Sequence, residues 1–167
     1  MSARLALIGA PGAGKSAVAR ELGHRWKCRV LDSDEEYQSR HGHPVAEAVI
    51  SDEAAFRRAE ADIVVEALLE PGAVVSVGSG AVGAAAVVDA LQSVPTVWLE
   101  VGLADAARRT GLSGARPVSL GNVRGQLHDM LVERAKAYRR LADFTVVTDG
   151  REVASVCQDI VDWEAQQ

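Results

Sequence analysis

Eight residues near the amino terminus, Gly9-Ala10-Pro11-Gly12-Ala13-Gly14-Lys15-Ser16, constrain this chain more than any other feature. They fit G-x-x-x-x-G-K-S without a mismatch, and their surroundings fit too. Leu5-Ala6-Leu7-Ile8 before them reads as a short buried strand, and Lys15 to Arg25 after them as an amphipathic helix. The glycines allow backbone N–H groups to curl around a phosphate, and the helix start presents its positive end to the same anion. Gly12, Ala13, Gly14, Lys15, Ser16 and Ala17 are therefore the expected nucleotide contacts. Lys15 reaches the β- and γ-phosphates, and the Ser16 hydroxyl holds Mg²⁺.

The alternation of strand and helix continues. Arg29 to Leu31, Val74 to Val77, Thr96 to Leu99 and Phe144 to Val147 read as four more short strands, most of them separated by helical stretches. This predicts an α/β fold whose mostly parallel sheet is covered on both faces. Ligands in such folds sit at the carboxyl ends of the strands. With 28 Ala and 23 Val against 7 aromatic residues, the interior suits helices packed closely on a sheet and does not supply a base-stacking surface. A net charge of −5 likewise disfavours nucleic acid as a partner. No apolar run approaches the roughly 20 residues of a membrane span, and the amino terminus is too short before its Gly-rich turn for a signal peptide. Cys28 and Cys157 stand far apart, as reduced thiols of a cytoplasmic protein do. The 167 residues are expected to form a single domain, 1–167.

The strand ends carry the remaining chemistry. No Asn-Lys-x-Asp guanine motif is present, and the chain is short for a motor or transporter ATPase. Val30-Leu31-Asp32 is a hydrophobic strand ending in an acid, with Asp32 placed to serve Mg²⁺ directly or through water. Ser33-x-x-Glu36 reads as a capping box that starts a helix at Ser33. Asp34 then falls in the first turn, where the helix dipole favours its ionised form and a substrate hydroxyl can donate to it. In the predicted helix from Asp52 to Leu69, Arg57 and Glu60 are three apart and able to pair, either as a surface ion pair or with Arg57 directed into a cleft. In the predicted helix from Asn122 to Arg140, Arg134 shares the inward face of Leu127, Met130, Leu131, Tyr138 and Leu141, where a guanidinium suits a planar carboxylate or a structural acid. Gly78-Ser79-Gly80 follows the third strand and permits close approach of a ligand to the backbone. Gly111 to Gly121 is the one long irregular loop, a candidate lid in which Arg116 precedes Pro117 and can swing onto phosphates. Arg108 and Arg109 end the helix before it, one of them placed to lie over an adenine face. His41 and His43 flank Gly42 in a predicted loop with no metal-site partner.

These motifs, in this order, resemble the shikimate kinase family over nearly the whole chain. Asp32-Ser33-Asp34 resembles its Asp-x-Asp, Phe56-Arg57-x-x-Glu60 its Phe-Arg-x-x-Glu, and Gly78-Ser79-Gly80 its three glycines. Arg109-Thr110-Gly111, Arg116-Pro117 and Arg134 resemble its lid and carboxylate-binding positions. The resemblance implies a three-layer αβα P-loop kinase fold with a five-stranded parallel sheet of order 2-3-1-4-5, a substrate-binding region over 33–60 and a mobile lid over 111–123. It implies ATP-dependent phosphorylation of the 3-hydroxyl of shikimate by a monomer, with Mg²⁺ at Ser16 and Asp32. Asp34 would bind the reacting hydroxyl, Arg57 and Arg134 the carboxylate, and Gly78, Ser79 and Gly80 would line the site. Lys15 and Arg116 would stabilise the transferring phosphoryl, and Arg109 and Arg116 would contact the nucleotide. Three positions depart from the family pattern. Ser79 replaces the middle glycine, where its side chain either crowds the ring or makes a new contact. Asp52 replaces a glycine before the Arg57 helix, with a shift of that helix as the expected result. Val118-Ser119 replaces two leucines in the lid. A kinase for another small hydroxylated acid or polyol, and a nucleotide-binding module with little catalysis, are the alternatives these departures leave open.

Overall fold

A computed structural model of the chain describes residues 1–111 and 122–167. Arg116, the Val118-Ser119 pair and most of the expected lid lie outside the described residues. Among the described residues five strands form, β1 (Leu5–Ile8), β2 (Val30–Asp32), β3 (Val74–Ser76), β4 (Thr96–Glu100) and β5 (Phe144–Val147). All pair in parallel, in the order β2-β3-β1-β4-β5. Every residue of the central β1 is buried, as a strand covered on both faces requires. Helices α1 (Lys15–Trp26), α2 (Ser33–His41), α3 (Val45–Ser51), α4 (Glu53–Leu68), α5 (Ala85–Leu91), α6 (Leu103–Arg109), α7 (Val123–Leu141) and α8 (Val153–Glu164) flank the sheet, giving the expected three layers. A 3₁₀ turn, Ala81–Gly83, follows β3. Among the described residues no helix is long and apolar enough to cross a membrane.

Element ends differ from the sequence reading for local reasons. β2 covers Val30–Asp32, starting one residue after Arg29, and Asp32 sits at its carboxyl end as the reading of Val30-Leu31-Asp32 required. β4 extends to Glu100, which is in register with Val147 of β5. Asp52 and Asn122 stand outside α4 and α7 as their caps. Asp52 accepts from the Ala55 amide at 3.0 Å, and Asn122 from the Gly125 amide at 2.9 Å. A carboxylate in that position satisfies an otherwise unpaired helix donor. Asp52 in place of glycine is thus accommodated as a cap, with Arg57 one turn further on. His41 closes α2 and stacks on Tyr37 with ring centroids 4.3 Å apart, so it belongs to the helix and not to the predicted loop.

The capping box read at Ser33 does not form. Asp32 is the cap of α2, and its Oδ1 accepts from the amides of Asp34 and Glu35 at 3.0 and 3.3 Å. Ser33 is the first helical residue, and its hydroxyl accepts from the Gly78 amide at 2.8 Å. A partner 45 residues away has taken the side chain that the local pattern assigned to capping.

The interior has two parts. One large core runs through the sheet and the helices around it. A small satellite of Tyr37, Ala48, Phe56 and Ile63 lies beneath α2, α3 and α4.

Candidate active site

The P-loop sits between β1 and α1, beside the carboxyl end of β3. Gly12 has φ +80°, and a Cβ there would lie 3.0 Å from the Ala106 carbonyl oxygen, so this position needs glycine twice over. Lys15 Nζ folds onto its own loop, donating to the Gly9 carbonyl at 2.8 Å and the Ala10 carbonyl at 3.1 Å. Burial lowers the Lys15 pKa to about 8, against the opposing pull of Asp34 and Asp32. The Ser16 hydroxyl donates to Asp32 Oδ2. These side chains, with Asp34, Gly78 and Arg109, line a cleft of about 480 Å³.

Asp34 is open to the water of this cleft. Enough protein still surrounds it that desolvation raises its pKa. Neighbouring Asp32 acts in the same direction, and Lys15 and Arg57 oppose it. The shift is opposite in direction to the one expected from the helix dipole alone.

The Gly78-Ser79-Gly80 turn joins Asp34, Arg57 and Arg134, which come from three different helices. A Cβ on Gly78 would overlap Glu60 Oε1 and lie 3.1 Å from Asp34 Oδ1. A Cβ on Gly80 would overlap the Arg57 guanidinium. Both glycines are required by what approaches them, in addition to any role toward a ligand. Arg57 Nη1 donates to Glu60 Oε2 at 2.7 Å, and the Glu60 side chain is only 4% exposed. Desolvation raises the Glu60 pKa, and the Arg57 hydrogen bond works against it. The pair is therefore embedded in the site rather than solvated on a surface, and it lines a hollow of about 300 Å³ with Gly80 and Ala81.

Ser79 faces α7. Arg134 Nη1 donates to its hydroxyl at 3.0 Å, and the Tyr138 hydroxyl donates to its carbonyl at 2.7 Å. The departure at position 79 thus makes a new contact. Among the described residues, Arg134 bonds to this hydroxyl and not to a carboxylate.

Arg109 lies at the other end of the P-loop. It donates to the Gly12 carbonyl at 3.1 Å and the Thr148 carbonyl at 2.8 Å, and it borders a second hollow of about 240 Å³ with Ala17 and Arg151. Arg108 is exposed and pairs with Asp105 at 2.8 Å, so Arg109 is the one that reaches the cleft beside the P-loop. Sequence reasoning missed Thr148, for which no local signal exists. It also missed the depth of Glu60, although the three-residue spacing from Arg57 had marked the pair.

Comparison with known proteins decides the family. The sequence profile described as Shikimate kinase matches residues 11–164. The chain belongs to the shikimate kinase family. A shikimate kinase from Thermobifida fusca is 44% identical over 143 residues, covering 85% of this chain and 83% of its own. One from Mycobacterium avium is 38% identical over 163 residues, covering 96% and 93%. The solved shikimate kinase from Acinetobacter baumannii in complex with shikimate superposes with a TM-score of 0.87 at 26% identity, covering 99% of this chain and 94% of that one. Shikimate kinases are phosphotransferases that use ATP, and neither alternative left by the sequence is favoured by these relatives.

Proposed function

We propose that this chain transfers the γ-phosphoryl group of ATP to the 3-hydroxyl of shikimate, giving shikimate 3-phosphate and ADP. The observation that carries the assignment is the meeting of Asp34, Arg57 and Arg134 around one turn, Gly78 to Gly80, beside a P-loop. The acceptor must then be a hydroxylated anion, which shikimate is. Arg57 and Arg134 hold its carboxylate, a planar group that guanidinium forks match. Asp34 accepts the hydrogen bond of the reacting hydroxyl and aims its oxygen at the γ-phosphorus. The new O–P bond forms as the bond from the γ-phosphorus to the β,γ-bridging oxygen breaks. ADP leaves, and the hydroxyl proton passes toward Asp34.

Gly12, Ala13, Gly14, Lys15, Ser16 and Ala17 cradle the phosphates, and Lys15 exchanges the carbonyls of Gly9 and Ala10 for the γ-phosphoryl oxygens. Arg109 flanks the adenine. Arg116 completes the neutralisation from the lid over 111–123. The paired Ser16 hydroxyl and Asp32 carboxylate are hard oxygen donors, few in number. That set fits Mg²⁺, which keeps most of its ligands as water and nucleotide oxygens. When bound, the ion neutralises charge on the β- and γ-phosphates. Residues 33–60 form the acceptor-binding region of a single domain, and the protein works as a cytoplasmic monomer.

The test is ADP release from ATP and Mg²⁺, with and without shikimate, by the wild-type chain and by Asp34→Asn. Shikimate-dependent turnover that the variant loses is the expected result. Binding of ATP with no shikimate-dependent turnover would sink the assignment.

A further inference from the structure

The two carboxylate-binding arginines of the proposed function are held in different ways. Arg57 is paired with a buried acid, Glu60. Arg134 is held by a neutral hydroxyl, Ser79 Oγ. A carboxylate partner orients a guanidinium and also cancels much of its charge. A hydroxyl orients it and leaves the charge for an incoming anion.

The hydroxyl is itself fixed. Arg134 and Tyr138 are one turn apart on α7 and reach the same face. One takes the Ser79 side chain and the other its carbonyl. Tyr138 is a dependable donor, because burial pushes its pKa up to about 12. With the carbonyl tied, the backbone keeps Ser79 turned toward α7, and the bond to Arg134 selects the rotamer of Oγ. The neighbouring Gly80 has no Cβ and lies against Arg57. The turn therefore sets the spacing between the two guanidinium groups.

We propose that Ser79 is a positioning residue for substrate binding, whose hydroxyl holds Arg134 in place for the acceptor's carboxylate without spending its charge. This rests on the reading of Arg134 as a carboxylate ligand. A glycine at 79 would leave Arg134 to be ordered only when substrate arrives, and that ordering costs affinity.

Calorimetric titration of shikimate and of its methyl ester into wild type, Ser79→Ala, Ser79→Gly, Ser79→Thr and Arg134→Ala tests the idea. Ser79→Ala should weaken shikimate about tenfold, the cost of ordering one long side chain only on binding. It should leave the ester's affinity and the ATP affinity unchanged, and Ser79→Thr should restore shikimate binding. Ser79→Gly should match Ser79→Ala, which guards against an effect of the methyl group. An unchanged shikimate affinity in both hydroxyl-free variants overturns the proposal, as does an equal loss for acid and ester. Arg134→Ala separates the premises. If it keeps the full preference for acid over ester, the carboxylate role of Arg134 fails. If it loses that preference while Ser79→Ala keeps it, the failure belongs to Ser79 alone.

Discussion

The phosphate-donor and acceptor halves of the cleft are built on opposite plans. The donor half is one contiguous loop between the buried central strand β1 and α1, resting on the large core. The acceptor half is assembled from α2, α4 and α7, and Asp34, Arg57 and Arg134 from these helices are brought together at Gly78 to Gly80. Its α2–α4 part rests on the four-residue satellite of Tyr37, Ala48, Phe56 and Ile63. A local phosphate cradle needs little from the rest of the chain. An acceptor site that must match one molecule draws each functional group from a different place, and its precision depends on the seam between them.

Substitutions can set the halves against each other. The largest effect is expected from Asp34→Asn. Losing its carboxylate should lower kcat by about 10²–10⁴-fold, as removal of a general base does, while ATP affinity holds. Nucleotide titration beside turnover measures both, and a variant that keeps kcat would remove Asp34 from the chemistry.

Next come the glycines. Gly80→Ala should push the Arg57 guanidinium aside and raise KM for shikimate about tenfold, whereas Gly12→Ala should weaken ATP by roughly 1–3 kcal/mol of backbone strain. Each should spare the other ligand, and equal losses of both ligands in either variant would erase the distinction between the halves.

The pH profile is a smaller effect. Lys15 is charged below about pH 8 and loses its proton above it. kcat/KM for ATP should therefore fall as pH rises through about 8. Bound phosphates favour the charged ammonium, so the break in kcat should lie at higher pH. On the acid side, the raised Asp34 pKa places loss of activity above the ordinary aspartate range. A kcat/KM for ATP that is flat from about pH 7 to about pH 10 would contradict the donor-half reading.

The smallest effect is expected from Asp52→Ala, which removes the cap of α4. It should cost about 1 kcal/mol, or about 2–4 °C in Tm. Calorimetry should show that loss with ATP affinity unchanged.

The sequence was most readable where function is local. The P-loop could be read from eight consecutive residues, because each of its requirements is met by its own backbone. Asp34, Arg57 and Arg134 were readable as candidates from helical spacing and burial, and their grouping came from family resemblance. What could not be read were the contacts across the chain. Ser33 looked like a cap because the Gly78 amide that claims its hydroxyl is 45 residues away. Glu60 looked like a surface partner until Gly78 was seen packed on it. Ser79 could have crowded the site or joined it, and only the position of α7 decides between the two.

The start of α2 has one more consequence. Asp32 binds the Ser16 hydroxyl through one oxygen and the first amides of α2 through the other, while Ser33 next to it holds the β3 turn. Two adjacent residues thus connect α1, α2 and the Gly78 amide. If seating the acceptor displaces α2, the displacement reaches Ser16 through Asp32. The two substrates would then share a coupling free energy, and thermodynamic reciprocity would require each to change the other's affinity by the same factor.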